Sequence, residues 1–85
     1  MTIDALRQEI DNIDTELVSL FNRRYAICTE IGKLKTKSGT MVLDSNREQK
    51  IINRLNEFSN YPNMIETLWP TIMAFSRNLQ NNLGK

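Results

Sequence analysis

Arg24 and Lys35 are where a chemical reading of this sequence begins. They are eleven residues apart, almost three whole turns of an α-helix. On one helix both would project from the same face, their Cα atoms about 16 Å apart along the axis. Two long cationic side chains leaning inward could grip a small anion across that span. Each also has a plainer explanation. Arg24 could snorkel from an apolar seam or set its register. Lys35 could answer the negative end of a helix dipole. Arg23, beside Arg24, reads as an ordinary surface charge.

The stretch "VLDSNREQK", residues 42 to 50, supplies a second set of charges. Arg47 and Glu48 sit four residues before Ile51 and Ile52, so they extend the inward face of a helix by one turn. Ser45-x-x-Glu48 also fits a capping box, with Asp44 as a second cap candidate. Further on, Ser76 and Gln80 follow Ile72 on one stripe, four residues apart. Facing a core they would need hydrogen-bond partners; facing solvent they would need none. Arg7 precedes Arg24 by 17 residues, about 25 Å along a straight helix. A chain's own Arg7 therefore cannot share a small site with its Arg24, whereas the partner's Arg7 could in an antiparallel dimer. Together, three helices would bring polar groups to one inward region, a coincidence that favours a site.

Those groups need elements to position them. Ile3, Leu6, Ile10, Ile13, Leu17 and Leu20 step by threes and fours, and the pattern resumes at Ile27, Ile31 and Leu34. The seam lasts more than four heptads and predicts one long helix over about 2–36, interrupted only by Arg24 at the expected apolar position. Acidic residues lie in its first half and Lys33, Lys35 and Lys37 at its end, which suits the helix dipole. Gly32, near the end, weakens it modestly. "TKSGTMVLDS", residues 36 to 45, reads as a loop marked by Ser38-Gly39. A second helix is expected over about 45–59, with Ile51, Ile52, Leu55 and Phe58 inward. A third is expected over about 63–82, with Ile65, Leu68, Trp69, Ile72, Phe75, Leu79 and Leu83 on its buried side. Pro70 should kink that helix or mark a late start. The class is all-α, three helices in one domain over 1–85. A first helix of about 50 Å exceeds the roughly 30 Å diameter of a compact domain this long. With no breaker in it, the free end should be covered by another copy of the chain, in an intertwined homodimer.

Composition excludes several functions. Of the 85 residues 40% are hydrophobic and 25% charged, neither a disordered nor a membrane-embedded profile. A formal net charge of +1 argues against a general nucleic-acid binder. No window approaches 18 apolar residues, so no membrane span is expected, and "MTIDALRQEID" lacks a signal-peptide core. Cys28 is the single cysteine, which fits a reducing cytoplasm. The absence of histidine removes the commonest general base and metal ligand.

The ordered set of motifs resembles the all-helical class of chorismate mutases, bacterial single-function type, along nearly the whole chain. The motifs are "LRQEIDNID" around Arg7, "LFNRR" ending in Arg24, "IGKLK" ending in Lys35, "VLDSNRE" with Asp44, Arg47 and Glu48, and "SRNLQ" with Ser76 and Gln80. From Arg7 through Glu48 the spacing needs no gap against bacterial members, while the turn between helices 2 and 3 is a few residues shorter. Any one motif is weak; the set at these spacings is specific. The resemblance implies three helices, the first very long, in an intertwined homodimer with two sites.

It also implies the chemistry: a Claisen rearrangement of chorismate to prephenate, in phenylalanine and tyrosine biosynthesis. The reaction is pericyclic and implies no nucleophile, metal or cofactor. By resemblance, Arg24 and the partner's Arg7 pair with the two substrate carboxylates, for which a planar guanidinium is suited. Lys35 donates to the ether oxygen and a carboxylate, and Gln80 donates to the ether oxygen from the other side. Glu48 accepts from the ring hydroxyl, and Ser76 binds a carboxylate. Asp44 and Arg47 shape the wall and orient their neighbours. Arg7, Arg24, Lys35 and Arg47 against Asp44 and Glu48 leave an excess of two positive charges, complementary to a dianion. The competing readings are an isochorismate-pyruvate lyase of the same fold, whose known members lack this Asp-x-x-Arg-Glu arrangement, and a non-catalytic helical dimerisation module. The latter would tolerate apolar residues at Arg24 and Lys35.

Overall fold

A computed structural model describes residues 1–39 and 42–81. Three helices follow one another: α1 (Ile3–Ser38), α2 (Ser45–Asn56) and α3 (Met64–Asn81). Thr2 caps α1, its Oγ1 accepting from the Ala5 N–H at 3.0 Å. At the other end Gly39 takes the left-handed conformation, φ 73°, and turns its N–H to the carbonyls of Lys35 and Thr36. A side chain with a Cβ would be strained there, so glycine ends the helix cleanly. The helix thus runs two residues past the expected 36. Its 36 residues span about 54 Å, equal to the 54 Å long dimension of the chain.

Asp44 caps α2, its Oδ1 accepting from the Arg47 N–H at 2.9 Å. Ser45 lies inside the helix and the Glu48 carboxylate bonds elsewhere, so the Ser45-x-x-Glu48 capping box is not formed. The helix also ends three residues short of the expected 59. The N–H groups of Glu57, Phe58 and Ser59 fold back onto the Arg54 and Leu55 carbonyls. Phe58 lies beyond the last helical residue, where helical periodicity no longer sets its direction, and it is exposed rather than inward.

Asn63, at φ 65°, turns the chain into α3, and its carbonyl accepts from both the N–H and the hydroxyl of Thr67. Asparagine tolerates that conformation better than most residues. The helix does not start late: it runs through Pro70, which sits on its exposed side. Thr40, Met41 and the tail, including the expected residue 82 and Leu83, lie outside the described residues. No strand occurs among the described residues, and none of their helices is long and apolar enough to cross a membrane.

α3 packs against both α1 and α2. Cys28 of α1, Ile51 of α2 and Ile65, Ile72 and Met73 of α3 form a small buried core. On the α1–α3 side, Tyr25 packs between Phe21 and Phe75, with ring centroids 5.9 and 4.8 Å apart. The predicted stripe on α3 is wider than this core covers: Trp69 and Leu79 are half-buried, and Leu68 and Phe75 are about half exposed. The seam of α1 departs further from a buried face. Ile3, Leu6, Ile10, Ile13, Leu17, Leu20, Ile27, Ile31 and Leu34 are 41–67% exposed, and every residue from Met1 to Leu20 is exposed. The N-terminal half of α1 projects beyond the core. The radius of gyration is accordingly 16.1 Å, against about 12 Å for a compact domain this long.

Candidate active site

The inward end of the structure holds a cavity of about 320 Å³, at the lower end of the range for small-molecule sites, roughly 300–1,000 Å³. α1 contributes Arg24, Cys28, Ile31 and Lys35, a single row along the helix in its C-terminal half. The loop and first turns of α2 contribute Val42, Asp44, Arg47, Glu48 and Ile51. α3 contributes Met73, Ser76, Arg77 and Gln80. Seven of the eight residues predicted for a site therefore meet around one cavity.

Arg24 is tied to α3. Its Nη1 donates to Ser76 Oγ at 2.7 Å, with Cys28 Sγ at 3.8 Å beside it. The Ser76 hydroxyl donates its own proton to the Ile72 carbonyl at 2.9 Å. Ser76 is therefore a buried acceptor that orients a guanidinium, satisfied by its helix and by Arg24. Lys35 Nζ donates to the Val42 carbonyl at 3.1 Å, which uses one of the three donors of an ammonium.

Gln80 is buried, and its Oε1 has no hydrogen-bond partner among the described residues. Such a group costs about 1–3 kcal/mol, and it lines the cavity rather than solvent. Half a turn of the amide exchanges the oxygen for the NH2, so the same position can present a donor. Solvent exposure, the plain explanation for Ser76 and Gln80, does not hold for either residue.

Asp44 and Arg47 are exposed and stand at the rim. Arg47 is less inward than its spacing predicts, because it occupies the first turn of α2, which packs on α3 and not on α1. Glu48 is half-buried and makes an ion pair with Arg77 across 29 residues of sequence. Arg77 was not anticipated. Its signal was present: Met73 and Arg77 form an i, i+4 row next to the Ile72, Ser76, Gln80 stripe. Cys28 also lines the site, four residues after Arg24 on the same face.

Arg7 is the predicted residue that the chain does not bring to the cavity. It is exposed on the projecting half of α1, about 25 Å from Arg24 along the helix. Around the cavity, four cationic side chains (Arg24, Lys35, Arg47, Arg77) face two carboxylates (Asp44, Glu48), an excess of two positive charges within one chain. Among the described residues there is no group of three or more His, Cys, Asp or Glu that could hold a metal ion. The donor set suits a small anion carrying more than one negative group: guanidinium and ammonium donors, a carboxylate acceptor for a hydroxyl, and an unpartnered amide.

Comparison with known proteins identifies the family and the fold. The family described as chorismate mutase type II matches residues 6–81. An intracellular chorismate mutase of Mycobacterium tuberculosis (strain ATCC 25618 / H37Rv) is 44% identical over 55 residues, 65% of this chain and 52% of that protein. The chain thus spans about half the length of the curated relatives it matches first. A bifunctional chorismate mutase/prephenate dehydratase of Aquifex aeolicus is 36% identical over 53 residues, 62% of this chain and 15% of that protein. Among solved structures, chorismate mutase (form II) from Thermus thermophilus superposes with a TM-score of 0.87 at 31% identity, covering 95% of this chain and 96% of that one.

Proposed function

The chain belongs to the chorismate mutase type II family, and we propose that it catalyses the rearrangement of chorismate to prephenate in the cytoplasm. The observation that carries the reading is the convergence of Arg24, Lys35, Glu48 and Gln80 from three helices on one cavity. The reaction is unimolecular, so the protein's task has two parts. It must hold a flexible dianion in the compact conformer in which the new bond can form. It must also stabilise the negative charge that grows on the ether oxygen as the C–O bond breaks.

Arg24, pre-oriented by Ser76, pairs with one carboxylate. The partner's Arg7 pairs with the other. The remaining Lys35 donors reach the ether oxygen and a carboxylate, and Gln80, with its amide turned to present NH2, donates to the ether oxygen from the opposite side. Glu48 accepts from the ring hydroxyl. Asp44 and Arg47 close the rim. Arg24 is oriented by Ser76 before substrate arrives, so that donor needs little reorganisation as charge moves.

A homodimer completes the site. The exposed α1 seam has nine Leu and Ile side chains. Covering their exposed halves contributes roughly 1 kcal/mol each, on the order of 10 kcal/mol in all. Association costs about 4–15 kcal/mol, so further contacts from α3, such as the half-exposed Phe75, would join the interface. An antiparallel partner would carry its Arg7 to the cavity that this chain's own Arg7 cannot reach.

The test is direct. Purified protein is incubated with chorismate, its ultraviolet absorbance is followed, and the product is converted with acid to phenylpyruvate. Loss of absorbance with recovery of phenylpyruvate is expected. A folded protein that leaves chorismate unchanged would overturn the reading.

A further inference from the structure

We propose that Arg77 is a positioning residue: it holds the Glu48 carboxylate on the cavity wall, so that Glu48 meets the substrate hydroxyl in one set orientation. The proposal rests on the mutase reading of the site, in which Arg77 has no other task.

Three observations carry it. First, Glu48 stands on a partition between two clefts. One is the 320 Å³ cavity; the other, of about 220 Å³, lies between the start of α2 and the middle of α3, with Ser45, Gln49, Ile52 and Pro70 on its walls. Glu48, Met73 and Arg77 line both. A flexible carboxylate on a partition has two directions to point, and an unfixed one would spend part of its time facing away from substrate.

Second, the pair is partly withdrawn from water: the side chains of Glu48 and Arg77 are 24% and 30% exposed. A charge-assisted hydrogen bond in that setting is stronger and less screened than a surface pair. Arg77 engages Oε2, and Oε1 still offers lone pairs to a hydroxyl. Third, Arg77 lies on α3 directly after Ser76 and three residues before Gln80. The tie therefore sets Glu48, an α2 residue, relative to the helix that carries two other polar groups of the cavity. A pair that merely docked α2 onto α3 would affect stability and leave turnover alone.

The experiment is a double-mutant cycle on chorismate turnover. Values of kcat and KM are measured for the wild type, Arg77→Ala, Arg77→Lys, Glu48→Gln and Glu48→Gln/Arg77→Ala, with thermal unfolding of each. Arg77→Ala should lower kcat/KM about tenfold, the scale of one hydrogen bond to a charged group. Arg77→Lys should recover part of that loss. In the Glu48→Gln background Arg77→Ala should cost little more, because the group it positions has lost its charge. The same tenfold cost in both backgrounds would overturn the proposal and make Arg77 a direct substrate contact. A lower Tm with unchanged kcat/KM would also overturn it, leaving a docking pair. If Arg77→Ala does not fold, the cycle is run with Arg77→Lys. A folded wild type inactive on chorismate would remove the site reading and this proposal together; an active wild type with additive losses would remove this proposal alone.

Discussion

Arg7→Ala and Arg24→Ala should each be nearly inactive alone, and should restore one another when their chains are mixed. The reasoning is geometric. Arg24 lines the cavity and Arg7 lies about 25 Å away on the same rigid helix, exposed to solvent. If both contact one substrate, they must come from different chains. Losing either guanidinium removes charge-assisted hydrogen bonds of about 1.5–3 kcal/mol each, so two bonds to one carboxylate correspond to a loss of about 10²-fold or more. In an equal mixture after full exchange, half of the dimers are mixed. In each of these one site has lost both arginines, while the other keeps Arg24 from one chain and Arg7 from its partner. About a quarter of all sites are then intact, as the two-fold symmetry requires. The assay is chorismate consumption by variants refolded together from denaturant, with chain exchange measured by native mass spectrometry on chains of different mass. Recovery to about a quarter of wild-type activity is the expected result. Mixed dimers present in the statistical proportion, yet no more active than the parents, would refute the shared site.

Other outcomes follow from the same structure. Lys35→Ala should lower kcat by about 10²-fold or more with a smaller change in KM, since its charge is needed most as the ether oxygen becomes negative; steady-state kinetics with a near-normal kcat would exclude that role. Leu17→Asp places a charge on the exposed α1 seam and should weaken dimerisation by at least about tenfold, read by sedimentation equilibrium, with activity falling in parallel at low protein concentration. Asp44→Ala removes the α2 cap and should cost about 1 kcal/mol in urea denaturation at a fixed protein concentration; an unchanged midpoint would mean that the cap adds nothing to α2.

Much of this molecule is written locally. A seam with steps of three and four residues specifies α1 over its length, because side chains that share a helix face are near neighbours in sequence. Thr2, Gly39 and Asp44 mark helix ends through hydrogen bonds that span three or four residues. The row of Arg24, Cys28, Ile31 and Lys35 follows from the helical period alone. None of these signals depends on where α3 lies.

Other features depend on contacts between distant parts of the chain. Spacing allowed Glu48 to be either a capping residue or an inward group; the arrival of Arg77 on α3, 29 residues later, decided the matter. Ser76 taken by itself fitted solvent better, until α3 packed on α1 and brought it within 2.7 Å of an Arg24 nitrogen 52 residues away. Arg77 itself was missed because a single charge on a helix reads as surface until the neighbouring element is known. Local hydrogen bonds and periodicity are set within one or two helical turns, so the sequence by itself determined the helices and the rows of residues upon them. Which rows face one another depends on how α3 packs between α1 and α2, and that packing joins the rows into a cavity.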